Sequence, residues 1–211
     1  MFKYAFVVVL LTSLASRVNA SPCHHGIVCV KQPGPDLLLE ARTGYAFMGT
    51  ARGAAAEANI GFGNLRLGIP ENIVFIGEFG FTAGDDGSLL SESAVRAFDI
   101  GAGVRAYLPT QSRFTVFGDL LFGAANHQIV QMGGNSPWTF MGQLSFGMEM
   151  QLYGNLFLTA RGKATFFGPG GVLLVAAVAK GDPSLAIHAN QEPFEIEAVR
   201  LGASAGLSLN F

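Results

Sequence analysis

Charged residues are scarce in this sequence. Asp, Glu, Lys and Arg together make up 13% of the 211 residues, which is about half the ~25% that is usual for a soluble domain. Hydrophobic residues make up 50%, so the chain has too little charge to cover itself as an ordinary soluble enzyme does. The 15 acidic residues outnumber the 13 basic residues. A nucleic-acid partner usually requires clustered basic residues, so this balance argues against one.

Long apolar runs are also missing outside the N-terminus, so no spanning helix of ~20 apolar residues is expected. At the N-terminus, Lys3 precedes the apolar stretch Tyr4–Leu14, and Val18–Ala20 offers a small-residue cleavage site. This order predicts a signal peptide over residues 1–20 and export of the chain. A membrane anchor is the alternative, but the apolar stretch is short for one. Residues 21–36 are predicted to form a periplasmic N-terminal segment.

Cysteine is nearly absent, with Cys23 and Cys29 the only two residues of this type. Because an exported protein meets oxidising conditions, we expect these two to form a small disulfide loop. The neighbouring His24 and His25 raise a metal site as the alternative. The loop is short and nothing orients the ligands, so neither a metal nor a cofactor is expected.

The most informative pattern that is present is a strict period of two in the last thirteen residues, Val199–Phe211. Every second residue from Val199 is apolar, and the residues between them are polar or glycine. Side chains of a β-strand alternate between two faces, so this pattern predicts a strand with one apolar and one polar face.

Seven upstream segments repeat this pattern and are separated by turn residues. Such strands of about ten residues, apolar outward and polar inward, are typical of transmembrane β-barrels. The chain is therefore predicted to be all-β, with a single eight-stranded antiparallel up-and-down transmembrane β-barrel over 37–211. The predicted strands are 37–50, 57–67, 72–82, 94–108, 113–125, 138–152, 156–167 and 199–211.

The second predicted strand is the least regular. Asn64 and Arg66 break its alternation, and a bulge there would let Leu65 and Leu67 face lipid. A soluble lipocalin-like barrel is the alternative for the whole pattern. Such a barrel places apolar residues inside, whereas here the larger apolar residues share one face and the charges share the other.

The predicted connections alternate in length. They are long after strands one, three, five and seven, beginning with a small-residue loop at 49–56, and short after strands two, four and six. Outer-membrane barrels have short periplasmic turns and long outer loops, so both chain ends are expected to face the periplasm.

The last long connection contains an apolar run at 171–179. It is predicted either as a short helix over the barrel mouth or in the outer leaflet, or as an extra strand. Together with residues 185–192 it would give a ten-stranded barrel, which the lack of alternation disfavours.

The polar faces of these strands carry five acids and five bases. An eight-stranded barrel has an interior just wide enough for side chains, and unpaired buried charges are costly. A matched set therefore predicts a salt-bridge network that plugs the lumen, with no wide pore. The alternative is that these charges form the solvated face of a soluble sheet. The predicted lumen residues are Glu40, Arg42, Glu78, Asp99, Arg105, Asp119, Glu149, Arg161, Lys163 and Arg200.

Taken together, these features resemble the small OmpA/OmpX-type outer-membrane barrels of Gram-negative bacteria. The C-terminal residues Leu207, Leu209 and Phe211 look like the terminal signal that such barrels present to the barrel-assembly machinery. The resemblance implies a location in the outer membrane, with its lipids and lipopolysaccharide as partners. OmpA itself carries a peptidoglycan-binding domain after its barrel, and the resemblance does not extend to that function.

No compact catalytic constellation is visible in the sequence. We therefore expect a non-enzymatic barrel with a structural or surface-interaction role, whose outer loops contact an extracellular ligand. The alternatives are a narrow porin-like channel and an outer-membrane lipid A-modifying enzyme that uses a His and a Ser near the rim. The His-x-Ser spacing of the lipid A deacylases is absent. The rim candidates are His127, His188, Ser136 and Ser184.

Overall fold

The computed structural model describes residues 34–48, 51–63, 70, 72–85, 94–108, 114–129, 138–181 and 198–211. The predicted signal peptide and the predicted disulfide between Cys23 and Cys29, with its two histidines, lie outside these residues. His188, Ser136, Ser184 and residues 185–192 also lie outside them.

The described residues form eight strands and one helix. Each strand pairs antiparallel with its sequence neighbours, and β1 also pairs with β8, so the sheet closes into an up-and-down barrel without a free edge. The predicted fold class is confirmed. The elements are β1 Leu37–Met48, β2 Ala51–Phe62, β3 Ile73–Asp85, β4 Ala94–Leu108, β5 Phe114–Ile129, β6 Trp138–Tyr153, β7 Leu156–Phe167, α1 Pro169–Lys180 and β8 Ala198–Asn210.

Burial follows the alternation of the sequence. In β2, Glu57 and Asn59 are buried, whereas Ala58, Ile60 and Phe62 are exposed. The remaining strands share this arrangement, with most of the charged side chains inside and apolar side chains outside, whereas Arg52 and Arg96 near the loop-facing strand ends are exposed. This is the inverse of a soluble barrel, as the sequence pattern predicts.

The bounds of β2 differ from the prediction. The strand begins at Ala51, inside the predicted loop 49–56, and ends at Phe62, short of the predicted end at 67. Alanine and glycine have low β-propensity, yet Ala54 pairs with Tyr45 on one side and Ala83 on the other. Pairing with β1 and β3 satisfies the backbone hydrogen bonds of this segment and outweighs its low β-propensity. The predicted bulge lies outside the described residues.

This shift changes the pattern of connections. Residues 49–50 alone join β1 to β2, and residues 63–72 join β2 to β3, so the predicted alternation is wrong at the first two connections. We call the end that carries Leu37 and Phe211 the terminal end and the opposite end the loop end. The loop end still carries the longest connection, residues 168–197.

Helix α1 lies in that connection. It begins at Pro169, where the missing N–H costs nothing, and Gly181 at φ 66° ends it in the left-handed conformation. The helix packs on the outer wall, mainly against β6 and also against β7 and β5. Of the predicted alternatives for residues 171–179, the helix is therefore correct and the extra strand is wrong. The helix packs against the wall of the barrel and not over its mouth. Among the described residues, no helix has the length and apolarity needed to cross a bilayer.

The contact between α1 and β6 depends on glycine. A Cβ on Gly142 of β6 would lie 2.2 Å from the backbone oxygen of Gly171 and 2.7 Å from Val175 Cγ2. Only glycine allows this approach. The helix consequently buries Leu174, Val175 and Val178 against Leu144 and Phe166, two outward-facing residues.

Candidate functional site

The buried charges inside the barrel form the candidate site, and Arg105 of β4 lies at its terminal side. Its Nε is 2.7 Å from Oδ1 of Asp119, its cross-strand partner in β5. Its two terminal nitrogens lie 3.0 Å from Glu40 and 3.2 Å from Glu149. The guanidinium carbon also lies 3.8 Å from the centre of the Phe117 ring, a cation–π geometry. Arg105 thereby joins strands β1, β4, β5 and β6.

Arg161 of β7 makes the second multiple contact. Its guanidinium lies 2.6 Å from Glu78, 2.7 Å from Glu57 and 3.1 Å from Asp119. Lys163, two residues along the same strand, lies 2.5 Å from Glu57 and 3.3 Å from Glu78. These carboxylates come from β2, β3 and β5, so the two cations bind across the barrel to strands that do not neighbour β7.

Arg42 of β1 connects these two groups. It lies 2.6 Å from Glu40 and 3.2 Å from Glu57. A continuous chain of ion pairs thus runs from Glu149 through Arg105, Glu40 and Arg42 to the Arg161 group. We call it the lumen network. Its members are Glu40, Arg42, Glu57, Glu78, Arg105, Asp119, Glu149, Arg161 and Lys163.

Asp99 and Arg200 form an ion pair with each other. The Arg200 guanidinium also lies 5.3 Å from the centre of the Phe167 ring. The structure therefore places all ten charged residues singled out in the sequence inside the barrel. Eight of them belong to the lumen network, and the other two form this separate pair.

Neutral polar side chains extend the network. Asn59 donates to Glu40, Gln143 donates to Glu78, and Ser204 donates to Glu57. Buried charges are tolerated when hydrogen bonds supplement their ion pairs. These contacts supply such bonds and occupy space beside the ion pairs.

Two apolar clusters lie on either side of the lumen network. The cluster toward the terminal end consists of the inward-facing residues Leu38, Val74, Ile76, Tyr107, Phe117 and Leu121. The cluster toward the loop end consists of Ala125, Met141 and Phe167, with Met48 and Ala198 packed against it. The charges therefore lie in an apolar surrounding on both sides, where their mutual attraction is weakly screened.

Sequence reasoning missed Glu57 and both apolar clusters. Glu57 is the first residue of the predicted second strand, which is the least regular one, and the predicted balance of five acids and five bases omits it. The structure adds this sixth buried carboxylate among the described residues. The alternation of Glu57 and Asn59 with Ala58, Ile60 and Phe62 is the signal that could have found it.

The predicted assembly residues Leu207, Leu209 and Phe211 have side chains exposed on the barrel wall. The backbone of Phe211 is held, since its N–H donates to the Leu37 oxygen and its own oxygen accepts from Asp36 and Leu37. The rim candidate His127 belongs to β5. No group of His, Cys, Asp or Glu side chains able to hold a metal occurs in the described part of the chain.

The barrel resembles several solved structures. Neisserial surface protein A (NspA) is 13% identical over 83% of this chain and 96% of its own, with a TM-score of 0.55. A major outer membrane protein from Thermus thermophilus is 14% identical over 83% and 98%, with a TM-score of 0.49. The outer membrane enzyme PagL is 11% identical over 82% and 99%, with a TM-score of 0.45.

No protein-family model matches the sequence, and no curated protein is significantly similar to it. At 13% identity, the likeness to NspA shows the fold alone. The resemblance to small eight-stranded outer-membrane barrels is therefore confirmed at the level of the fold.

Proposed function

We propose that this chain is an outer-membrane barrel with a sealed lumen and a structural or surface-interaction role carried by its outer loops. The observation that carries the proposal is the lumen network, in which Arg105, Arg161 and Arg42 each bind carboxylates from more than one strand. The interior of an eight-stranded barrel is just wide enough for side chains to fill. Side chains that cross it occupy the space that a water path for ions would need.

The outer wall supports the membrane location. Phe79, Ile100, Phe140 and Phe146 expose between 53% and 67% of their surface on the outside. Such a wall would aggregate in water, whereas hydrocarbon solvates it without cost. Trp138 near the loop end and Phe211 at the terminal end are also exposed, as aromatic girdles at two membrane interfaces require.

Export, orientation and biogenesis follow from the same proposal. The N-terminal signal peptide directs the chain across the inner membrane, the assembly machinery reads Leu207, Leu209 and Phe211, and the terminal end faces the periplasm. The loop end then faces outward and meets lipopolysaccharide or an extracellular ligand. NspA is by its name a surface protein, and a surface role fits this arrangement.

Two measurements on the full chain test the proposal. The membrane-extracted protein should migrate differently in gels before and after boiling, because a closed barrel resists detergent until it is heated. Reconstituted into planar bilayers, it should give no large and stable conductance steps. Steps of that kind would refute the sealed lumen, and a chain that stays soluble without detergent would refute the membrane location.

The non-enzymatic part of the proposal has its own test. The purified barrel is incubated with lipopolysaccharide, and the released fatty acids are measured by mass spectrometry. We expect no release above that of a boiled sample. Catalytic release would favour the lipid A-modifying enzyme instead.

A further inference from the structure

An apolar groove crosses the outer wall of the barrel and ends beside α1. Its volume is about 920 Å³, and Val172 of α1 contributes to its lining. Small-molecule sites in proteins typically measure ~300–1,000 Å³. The groove lies on the outside, so it is separate from the lumen network.

The strand register shows how the groove forms. Two adjacent rows of cross-strand partners line the groove, one from β2 to β5 and the other from β2 to β6. Small residues at the centre of one row lie beside large residues of the other, and the difference in size leaves a depression. The first row is Ile60, Gly77, Ala102 and Phe122, and the second is Ala58, Phe79, Ile100, Ala124 and Phe140.

Gly77 shows that the depression is open space. A Cβ at this position would meet nothing nearer than Ile60 Cγ2 at 3.7 Å. At Gly142, by contrast, a Cβ would collide with the backbone of α1. Glycine at position 142 permits a close contact, whereas glycine at position 77 leaves room for something else.

We propose that this groove binds one acyl chain of a membrane lipid. The inference rests on the proposed function, in which the outer wall contacts hydrocarbon. The groove is continuous with that wall, so lipid chains are the molecules that reach it. Its lining is almost entirely apolar and offers no partner for a charged ligand.

The dimensions of the groove suit a long and flexible occupant. Four strand-to-strand steps of about 4.8 Å separate β2 from β6, so the groove extends for roughly 19 Å along the curved wall. Within a bilayer, lipid tails are as apolar as the groove, and burial alone gives no preference. Affinity then depends on the dispersion contacts that Phe79, Ile100 and Phe122 make with a chain lying in the depression.

Helix α1 borders the groove on the side that faces the loop end of the barrel. Val172 faces the groove while Leu174 and Val175 hold the helix on β6. An acyl chain bound there contacts both the barrel wall and the helix.

The experiment compares three full-length proteins in detergent, titrated with dimyristoylphosphatidylethanolamine and examined by native mass spectrometry. Gly77→Leu fills the groove. Gly162→Leu is the matched control, because Gly162 lies on the outer face of β7 and a Cβ there meets nothing within 4 Å. The wild type and G162L should each retain one lipid. G77L should bind it about tenfold more weakly or worse, since the contacts of several methylenes are lost.

Equal retention by all three proteins would overturn the groove and indicate a non-specific lipid shell only. A wild-type dimer that G77L converts to monomer would also overturn it, in favour of a second copy of the chain as occupant. The proposed function is tested separately through Trp138, the single tryptophan. Brominated acyl chains should quench its fluorescence in all three proteins, and failure of this quenching would count against the membrane location itself.

Discussion

Arg105 and Asp119 are cross-strand partners in β4 and β5, and their side chains form two parallel hydrogen bonds of 2.7 Å and 3.1 Å inside the barrel. The fork of the guanidinium matches the carboxylate, which makes this the strongest type of ion pair in proteins. Both residues also contact charges on other strands. The pair therefore favours the observed register of β4 against β5. It also connects these two strands to the rest of the lumen network.

We expect Arg105→Met to destabilise the barrel by about 3–5 kcal/mol, because it leaves the carboxylates of Asp119, Glu40 and Glu149 short of their shared cation. Urea unfolding in lipid vesicles measures the change. Arg96→Met is the control. Arg96 is exposed, so this substitution should change the free energy of unfolding very little. The double variant R105M/D119L should be more stable than R105M alone, because it no longer buries the unpaired carboxylate. If D119L instead lowered the stability of R105M by as much as R105M lowers that of the wild type, the pairing would be contradicted.

Removing Arg161 should open a route for ions. Arg161→Ala deletes a side chain that reaches Glu57, Glu78 and Asp119, leaving a polar gap that water enters. Planar bilayer recordings should show small cation-selective steps that the wild type lacks. Lys180→Ala, at the exposed end of α1, should remain silent. If R161A does not fold, Arg161→Gln is used, and silence in a folded R161A barrel would argue that the apolar clusters alone seal the lumen.

A methyl group at Gly142 should displace α1 from the barrel wall. Gly142→Ala places its Cβ against the backbone of Gly171, and such overpacking costs about 1–3 kcal/mol. Hydrogen exchange should show faster exchange of the α1 amides, while the strand amides stay protected. Gly162→Ala, which enters open space, should leave the exchange of α1 unchanged. Equal protection of α1 in both variants would show that the helix does not depend on this contact.

The side chain of Phe211 should matter for assembly more than for stability. Phe211→Ala keeps the backbone hydrogen bonds to Leu37 but removes the terminal aromatic. We expect the amount of folded protein in the outer membrane to fall several-fold, with the unfolding midpoint in vitro little changed. Phe114→Ala is the matched control, as Phe114 is also exposed near the terminal end. A similar fall in both variants would count against a terminal signal.

Much of this architecture could be predicted from the sequence because a period of two determines which residues share a face. Once β4 and β8 are recognised, the inward position of Arg105 and Arg200 follows without knowledge of their partners. The partners themselves could not be predicted. Arg161 binds Glu57, 104 positions away in the sequence, and only the closure of the barrel brings them together.

The wrong bounds of the second strand came from residues with a weak preference for any secondary structure. The Ala- and Gly-rich start of β2 reads as a loop, since its strand state depends on pairing with β1 and β3 rather than on its own side chains. The surface on which α1 packs could not be predicted from the sequence either. Its residues are apolar on all sides, so the pattern predicts burial without specifying the surface, and Gly142 supplies that surface from another strand.

The pairing of Leu38 with Asn210 and of Phe47 with Leu201 joins the first strand to the last. Until β1 and β8 pair, the sheet is an open ribbon with two unpaired edges. Those edges are prone to aggregation until they meet. The pairing of β1 with β8 thus determines whether the charged interior, which is costly to bury without its ion pairs, is enclosed.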